Sequence, residues 1–305
     1  MRIVHTMHAA REAQRDVGTV GLVPTMGYFH EGHLSLMERS VSQNDCSVVS
    51  LFVNPLQFDE PSDLDAYPDD QERDARLAEE VGVDILLIPS LDGMFPVEPL
   101  TRVNVAHVAE LYEGAYRPEH LSGVATAVTK LLAGLQPDRA YFGRKDAQQL
   151  AMVRRMAVDL SFPVEIVGCP LIREQDGLAL SSRNVLLGPD RSKALGLSQG
   201  LFVAAELVEA GERNCERVEA SVAATSPGIE FQYVAFAGAR TMRPIPEISG
   251  ESVLVVAASI GSIRLIDNIS ISAAGDRLIV DRGRRLDRPS MMTMTRGRRA
   301  MTGGE

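Results

Sequence analysis

The chain has 305 residues with 45% apolar and 24% charged side chains, a composition that excludes disordered, collagen-like and disulfide-scaffold proteins. Its length favours two domains. A formal net charge of −10 opposes a polyanionic partner, so no nucleic acid is expected to bind. The longest apolar run, near Val253–Ile260, is far too short for a bilayer span, and the N-terminus lacks a signal-like apolar segment. We therefore expect a cytoplasmic protein with no membrane partner.

Short apolar runs alternate with helical patterns over the first 180 residues. The predicted strands are Val20–Val23, Val48–Val53, Ile85–Ile88 and Val164–Val167. The predicted helices are Leu34–Val41, Asp70–Val81, Gly123–Leu135 and Ala147–Leu160. Continuous apolar strands that alternate with helices indicate a parallel sheet covered on both faces. Such sheets bind ligands at the carboxyl ends of their strands.

The remainder of the chain predicts a smaller α+β domain. Helices are expected at Arg191–Ala210 and Glu216–Ala224, and strands at Ile229–Phe236, Ser252–Ile260 and Ile263–Ile271. The predicted fold is thus α/β: a Rossmann-like domain over residues 1–187, then an α+β domain over residues 188–281. Residues 282–305 carry seven arginines against two acidic residues and have no apolar period, so this tail is expected to be unfolded.

The segment from Pro24 to His33 (PTMGYFHEGH) follows the first apolar strand and opens a helix. A helix N-terminus offers unpaired N–H groups and a positive dipole end, which suits phosphate. His30 and His33 share a face of the first turn and could donate to phosphoryl oxygens. A turn with two surface histidines, or a metal site using both with Glu31, are the alternatives.

Further motifs follow in order: FVNPLQF from Phe52, RPEHLSGV from Arg117, YFGRKDAQQ from Tyr141, REQDGLALSSRN from Arg173 and RLIDN from Arg264. With the histidine segment, they resemble the pantoate–β-alanine ligase family of the nucleotidylyltransferase superfamily, from about residue 3 to residue 281. The resemblance implies ATP-dependent condensation of pantoate with β-alanine through pantoyl adenylate, releasing AMP and pyrophosphate. It also implies a Rossmann-like domain with a C-terminal lid, a homodimer and a requirement for Mg²⁺.

The resemblance also implies site residues. ATP would contact Met26, Gly27, Tyr28, Phe29, His30, Glu31, Gly32, His33, Gly143, Arg144, Lys145, Asp146, Ile172, Leu180, Ser181, Ser182 and Arg183. Of these, His30, His33, Lys145, Ser181, Ser182 and Arg183 would be catalytic. Pantoate and β-alanine would contact Asn54, Gln57, Arg117, His120 and Gln149, and Asp74 would be associated with Mg²⁺. Only three of the 31 basic residues are lysines, which favours a specific role for Lys145.

Two other functions remain open from the residues alone. Another adenylyltransferase would share the histidine motif and Ser181–Arg183 but would not need Gln57 and Gln149. A nucleotide-binding regulator that descends from an inactivated enzyme would have lost His30, His33, Lys145 or Ser181, and all four residues are present.

Overall fold

A computed structural model describes residues 1–97, 99–248, 250–275 and 277–292 of the chain. Its contacts divide the chain into two units. The first comprises Met1–Phe29, His33–Gly143 and Gln148–Cys169, and the second comprises His30–Gly32, Arg144–Ala147 and the chain from Pro170 onward. Residues 170–187, which the sequence assigns to the first domain, lie with the second unit in this division.

A parallel sheet forms the centre of the first unit. Its strands, among the described residues, are β1 (Arg2–Val4), β2 (Val20–Thr25), β3 (Cys46–Leu51), β4 (Ile85–Leu87), β5 (Arg139–Gly143) and β6 (Glu165–Cys169). They lie in the order β1-β4-β3-β2-β5-β6, and every pairing is parallel. Strands β2 and β3 are buried along nearly their whole length, as continuous apolar strands should be. The predicted parallel sheet is confirmed.

Helices follow the strands of this sheet. They are α1 (Met7–Ala13), α2 (Glu31–Gln43), α3 (Pro61–Asp65), α4 (Gln71–Val81), α5 (Leu91–Met94), α6 (Glu113–Tyr116), α7 (His120–Leu135) and α8 (Ala147–Asp159). The Asp70 side chain caps the start of helix α4 by accepting the Arg73 N–H, and Gly82, with φ +92°, follows its last residue. In the described part of the chain, no helix has the length and apolarity needed to cross a membrane.

The order of the strands reverses beside β2, which has β3 on one side and β5 on the other. Gly21 pairs with Arg139 across β2 and β5, so both strands end at the same edge of the sheet. The chain leaves this edge after Thr25 and after Gly143, and each of these points lies within one of the sequence motifs. Crevices at such reversals are the usual ligand sites of open α/β sheets.

The described residues of the second unit form an antiparallel sheet and two long α-helices. After the short strand β7 (Ile172–Arg173), the chain forms α9 (Arg191–Glu209), α10 (Cys215–Thr225), β8 (Glu230–Gly238), β9 (Ser252–Ile260), β10 (Ile263–Ala274), β11 (Arg277–Asp281) and β12 (Arg284–Arg285). Strands β8 to β11 lie in the order β11-β10-β9-β8. Leu201 and Ala205 of α9 share a buried core with Val222, Leu254 and Val256.

The expectation of an unfolded tail is wrong for residues 282–292. Strand β12 pairs in parallel with β7, and Ser290 and Met292 are buried. Backbone pairing and ion pairs order this segment, and neither leaves an apolar period in the sequence. Residues 293–305, the rest of that predicted tail, lie outside the described residues.

Candidate active site

The loop after β2 contains two residues with positive φ, Gly27 at +89° and Tyr28 at +51°. For a tyrosine this conformation costs roughly 1–2 kcal/mol, so neighbouring contacts must support it. Asp74 of α4 provides that support, because its two carboxylate oxygens accept the backbone N–H groups of Tyr28 at 2.5 Å and Phe29 at 2.7 Å. The Arg73 guanidinium lies 5.5 Å from the centre of the Tyr28 ring. Helix α4 therefore holds this loop in shape.

Asp74 does not fit the magnesium role that the resemblance implies. Its side chain is fully buried and both carboxylate oxygens are engaged by the loop. Within the described residues, no group of three or more His, Cys, Asp and Glu side chains could hold a metal ion. Burial raises the pKa of Asp74 to about 6, although the N–H groups of Phe29 and Tyr28 and the Arg73 charge lower it. The structure supports Asp74 as a loop anchor.

We expect Asp74→Asn to weaken ATP binding without changing the dependence on Mg²⁺. The amide places an NH₂ donor against one of the two N–H groups, a loss of about 1–3 kcal/mol. Titration of activity with Mg²⁺ at saturating ATP tests this, with Asp70→Asn as the control because asparagine also caps helices. A selective loss of Mg²⁺ affinity in Asp74→Asn would instead make Asp74 a ligand.

Acid should affect the same anchor. Because the folded pKa of Asp74 lies above its usual 3.8, ionising this group costs stability as pH rises from about 4 to about 6. Below about pH 6 the carboxyl is protonated and one oxygen becomes a donor, so the loop loses an acceptor. ATP affinity of the wild type should therefore fall below pH 6 more steeply than that of Asp74→Asn.

In the second unit, His30 caps the start of α2. Its Nδ1 accepts the backbone N–H of Gly32 at 3.1 Å, so the neutral ring carries its proton on Nε2. Gly32 suits this position because a Cβ there would lie 2.8 Å from that Nδ1. The result is a helix N-terminus with an imidazole N–H donor beside it, a combination that binds phosphate.

In the first unit, His33 is the third residue of α2. Its ring lies 5.7 Å from that of Phe29 between centroids, tilted by 57°. Phe29 is fully buried in the core that also contains Val23 and Val49. Packing on a buried aromatic ring restricts the orientation of the His33 imidazole.

The turn after β3 contains two buried amides, those of Asn54 and Gln57. Asn54 Oδ1 accepts the N–H of Leu56 at 3.2 Å, which caps the 3₁₀ turn Pro55–Gln57. Asn54 Nδ2 donates to Gln57 Oε1 at 3.0 Å and to the Gly123 carbonyl at 3.1 Å. These bonds fix the orientation of the Gln57 amide, and the structure brings the two predicted substrate residues together.

Gly123 allows α7 to approach this turn. A Cβ at Gly123 would lie 2.1 Å from the carbonyl oxygen of Leu56 and 2.6 Å from the backbone nitrogen of Gln57. Sequence reasoning gave Gly123 no role. The sequence predicts a helix that begins at Gly123, whereas α7 begins at His120, so the structure places the glycine inside the helix, where it costs about 1 kcal/mol relative to alanine.

Arg117 and His120 contact Gln57 through its main chain. Arg117 donates to the Gln57 carbonyl at 3.2 Å, and His120 Nδ1 lies 2.9 Å from the same oxygen. Arg117 also forms ion pairs with Asp59 at 3.2 Å and Asp63 at 3.6 Å. The structure therefore brings both residues to the Gln57 turn, where they position its backbone.

Two adjacent glutamines in the first turn of α8 differ in burial. Gln148 is buried, accepts the N–H of Glu113 and donates to the carbonyls of Val108 and Leu111. Gln149, the predicted pantoate contact, is half-buried. Gln148 thus holds the loop that contains Val108, Leu111 and Glu113. Gln149 is the glutamine that remains accessible to solvent or substrate.

In the second unit, the segment Arg144–Asp146 is held by Asn268 of β10. Asn268 Nδ2 donates to the carbonyls of Arg144 at 3.0 Å and Lys145 at 2.7 Å. Lys145 Nζ lies 3.4 Å from Asp146 Oδ1, and Arg144 pairs with Asp281 at 3.0 Å. The RLIDN motif therefore positions the backbone of Lys145, a role that sequence reasoning did not assign.

Ser181–Arg183 also lie in the second unit. Ser181 Oγ accepts the Arg183 N–H at 3.3 Å and caps the 3₁₀ helix Ser182–Leu186. Leu180 donates its backbone N–H to the carbonyl of Ile172 at 3.0 Å, so these two predicted ATP contacts lie together and are buried. Within this unit the geometry gathers hydroxyl and guanidinium donors beside an apolar pair.

A buried ion pair joins two further motifs of this unit. Arg173 is fully buried and donates from its two terminal nitrogens to Asp267 at 2.6 and 2.9 Å. It also donates to the carbonyls of Gly177 and Asn268. Arg173 thereby fixes the residue next to Asn268, which holds Lys145.

A family model described as Pantoate-beta-alanine ligase matches residues 1–270. Among curated relatives, the chain is similar to Pantothenate synthetase of Heliobacterium modesticaldum, at 47% identity over 279 residues, covering 89% of this chain and 99% of the relative. It is also similar to Pantothenate synthetase of Caldicellulosiruptor saccharolyticus, at 44% identity, covering 88% of this chain and 97% of the relative.

Solved structures of the same family are also similar to this chain. Pantothenate synthetase from Thermus thermophilus matches with 44% identity and a TM-score of 0.83, covering 88% of this chain and 98% of that one. Pantoate-beta-alanine ligase from Francisella tularensis, complexed with Beta-gamma ATP and Beta-alanine, matches with 31% identity and a TM-score of 0.73. That match covers 88% of this chain and 97% of the Francisella chain.

Proposed function

The chain belongs to the pantoate–β-alanine ligase family, and on that premise we propose that it makes pantothenate in two steps through a bound pantoyl adenylate. It is an enzyme that condenses pantoate with β-alanine in an ATP-dependent reaction. In the first step, the pantoate carboxylate attacks the α-phosphorus and pyrophosphate leaves. In the second, the β-alanine amine attacks the acyl carbon and AMP leaves.

The observation that carries this proposal is the start of α2. There His30 is fixed as the Nε2–H tautomer by the Gly32 N–H, beside the positive end of the helix dipole. This arrangement suits phosphate oxygens that gain charge during attack on the α-phosphorus. The loop Met26–Phe29, with Gly27, leads into it.

Residue roles follow from the family and the local geometry. We assign phosphate contacts to His30, His33, Lys145, Ser181, Ser182 and Arg183. We assign Ile172 and Leu180 to adenine and Asp146 to ribose hydroxyls. Gln57 and Gln149 would bind pantoate, with Asn54 fixing the Gln57 amide, because an amide suits hydroxyl and carboxylate groups. Arg117 and His120 would act through the Gln57 backbone.

A covalent enzyme intermediate is disfavoured by the cysteines. Cys46, Cys169 and Cys215 are all buried, and burial raises the thiol pKa of Cys46 and Cys215 to about 11. A thiol with that pKa is almost fully protonated at neutral pH and is a poor nucleophile. Activation of pantoate as its adenylate needs no enzyme nucleophile.

Three expectations stay proposals. Because Asp74 does not fit as a ligand, we propose that Mg²⁺ is bound mainly by the phosphates of ATP, where it would neutralise their charge. A homodimer and a cytoplasmic location are expected from the family resemblance and the sequence.

The two-step reaction predicts an exchange activity. Labelled pyrophosphate should enter ATP when pantoate and Mg²⁺ are present and β-alanine is absent, because the first step is reversible without the amine. Omitting pantoate is the control and should abolish exchange. Exchange that appears only after β-alanine is added would favour a concerted reaction of three substrates and contradict the bound adenylate.

A further inference from the structure

The segment Arg282–Met292, here called the strap, runs back over the second unit. Its strand β12 adds to β7: the N–H of Arg284 donates to the Leu171 carbonyl at 2.7 Å, and that of Leu286 donates to the Arg173 carbonyl at 2.9 Å. The backbone of the strap is therefore tied to residues on both sides of Ile172.

Side chains anchor the beginning of the strap. Arg282 forms a bidentate pair with Glu209 of α9, at 2.6 and 2.8 Å. The Arg285 guanidinium lies 4.9 Å from the centre of the Phe202 ring on the same helix. Gly283 has φ +82°, and a Cβ there would lie 2.7 Å from the Leu171 carbonyl oxygen. This close approach favours glycine at the point where the strap meets β7.

The end of the strap reaches two buried carboxylates. Ser290 Oγ donates to Glu174 Oε2 at 3.2 Å, and the backbone N–H of Met291 donates to Glu31 Oε1 at 2.7 Å. Glu31 is the first residue of α2 and is 9% exposed. Its second oxygen, Oε2, is buried without a hydrogen-bond partner among the described residues. Met291 thus supplies a hydrogen-bond donor to the buried carboxyl group of Glu31.

We propose that the strap positions the nucleotide site, with the Met291 amide holding the Glu31 carboxylate. A carboxylate at the start of a phosphate-binding helix repels the triphosphate unless donors fix and partly neutralise it. The strap also braces β7, which carries Ile172. This inference rests on the proposed assignment of His30–Gly32 and Ile172 to ATP, and the strap lies beyond the residues that the family model matches.

Truncation tests the proposal. A chain of residues 1–281 lacks the strap, and a chain of residues 1–295 keeps it as the matched control. We expect the shorter chain to raise the KM for ATP about tenfold or more while the KM for pantoate stays within about twofold, since a hydrogen bond to a charged group supports that much binding. The 1–295 chain should match the full chain. A folded 1–281 chain with an unchanged KM for ATP would overturn the proposal, as would equal rises in both KM values.

If the 1–281 chain does not fold, two point variants at Met291 test the role of its backbone amide. Met291→Pro removes the N–H donor, and Met291→Ala keeps it. We expect only the proline variant to raise the KM for ATP, at matched melting temperatures. Equal KM values in the two variants would overturn the role of the amide. Failure of the full chain to form pantothenate and AMP would instead contradict the proposed function, so the two failures are distinguishable.

Discussion

Replacing His33 with alanine is expected to lower the rate of adenylation by about 10²–10³, the usual cost of one donor aimed at developing charge. Phe29, packed 5.7 Å away, restricts the imidazole so that little reorganisation is needed during reaction. The Kd for ATP should change much less, because the N-terminal amides of α2 and the contacts proposed for Lys145 remain. Pyrophosphate exchange and ATP binding, measured side by side, separate the two effects.

The control for this prediction is His8→Ala, which removes an exposed histidine from α1 and should leave turnover unchanged. His33→Gln offers a sharper comparison. Its amide can donate a hydrogen bond but cannot transfer a proton, so electrostatic stabilisation predicts a partial recovery over alanine. Turnover in His33→Ala that equals the wild type would exclude the assigned role.

Asp267→Ala is expected to reduce the free energy of unfolding by about 3–5 kcal/mol, because it leaves the Arg173 charge buried without its partner. Arg173 is 0% exposed and Asp267 3% exposed, and the pair is bidentate, so water cannot replace the lost carboxylate. Activity should fall as well, since Asn268 beside it holds the backbone of Lys145. Chemical denaturation followed by circular dichroism measures the loss of stability.

Glu251→Ala is the matched control. It breaks an ion pair with Arg240 in the same unit, but both side chains are largely exposed, so the loss should stay below about 1 kcal/mol. The double variant Arg173→Met with Asp267→Leu should recover much of the stability, because apolar residues can replace a buried pair. A loss in Asp267→Ala no larger than in Glu251→Ala would show that the buried pair is not needed.

The sequence predicts those parts of the fold that apolar periodicity determines. Strands β2, β3 and β9 lie where apolar runs indicate them, because burial on both faces leaves no charged residue in any of the three. Strands β1 and β5 were missed: β1 has three residues, and β5 begins with Arg139 and mixes apolar with polar positions. The strap was missed because parallel backbone pairing and arginine ion pairs order it without an apolar face.

The candidate site likewise contains some residues that the sequence predicts and others that it does not. The position of His30 at a helix start predicts a phosphate contact from its residue type, whereas the roles predicted for Gln57 and Lys145 depend on the family resemblance of their motifs. The supporting residues could not be found this way. Asp74 lies in a helix rich in acidic residues, and a charged side chain there is expected to be exposed. The structure buries it because its carboxylate accepts hydrogen bonds from the loop after β2, and the sequence does not indicate these contacts. The Asn268 side chain donates a hydrogen bond to the carbonyl of a residue more than a hundred positions earlier in the chain. No local sequence pattern indicates such a contact.

The pairing of β7 with β12 also bears on how this chain is made. The two strands stand near opposite ends of the second unit's sequence, so β7 leaves the ribosome long before its partner has been synthesised. Until release of the C-terminus, the edge of β7 offers unpaired N–H and C=O groups, a template for pairing with another chain. Prematurely terminated copies that end before Arg284 would keep that edge open.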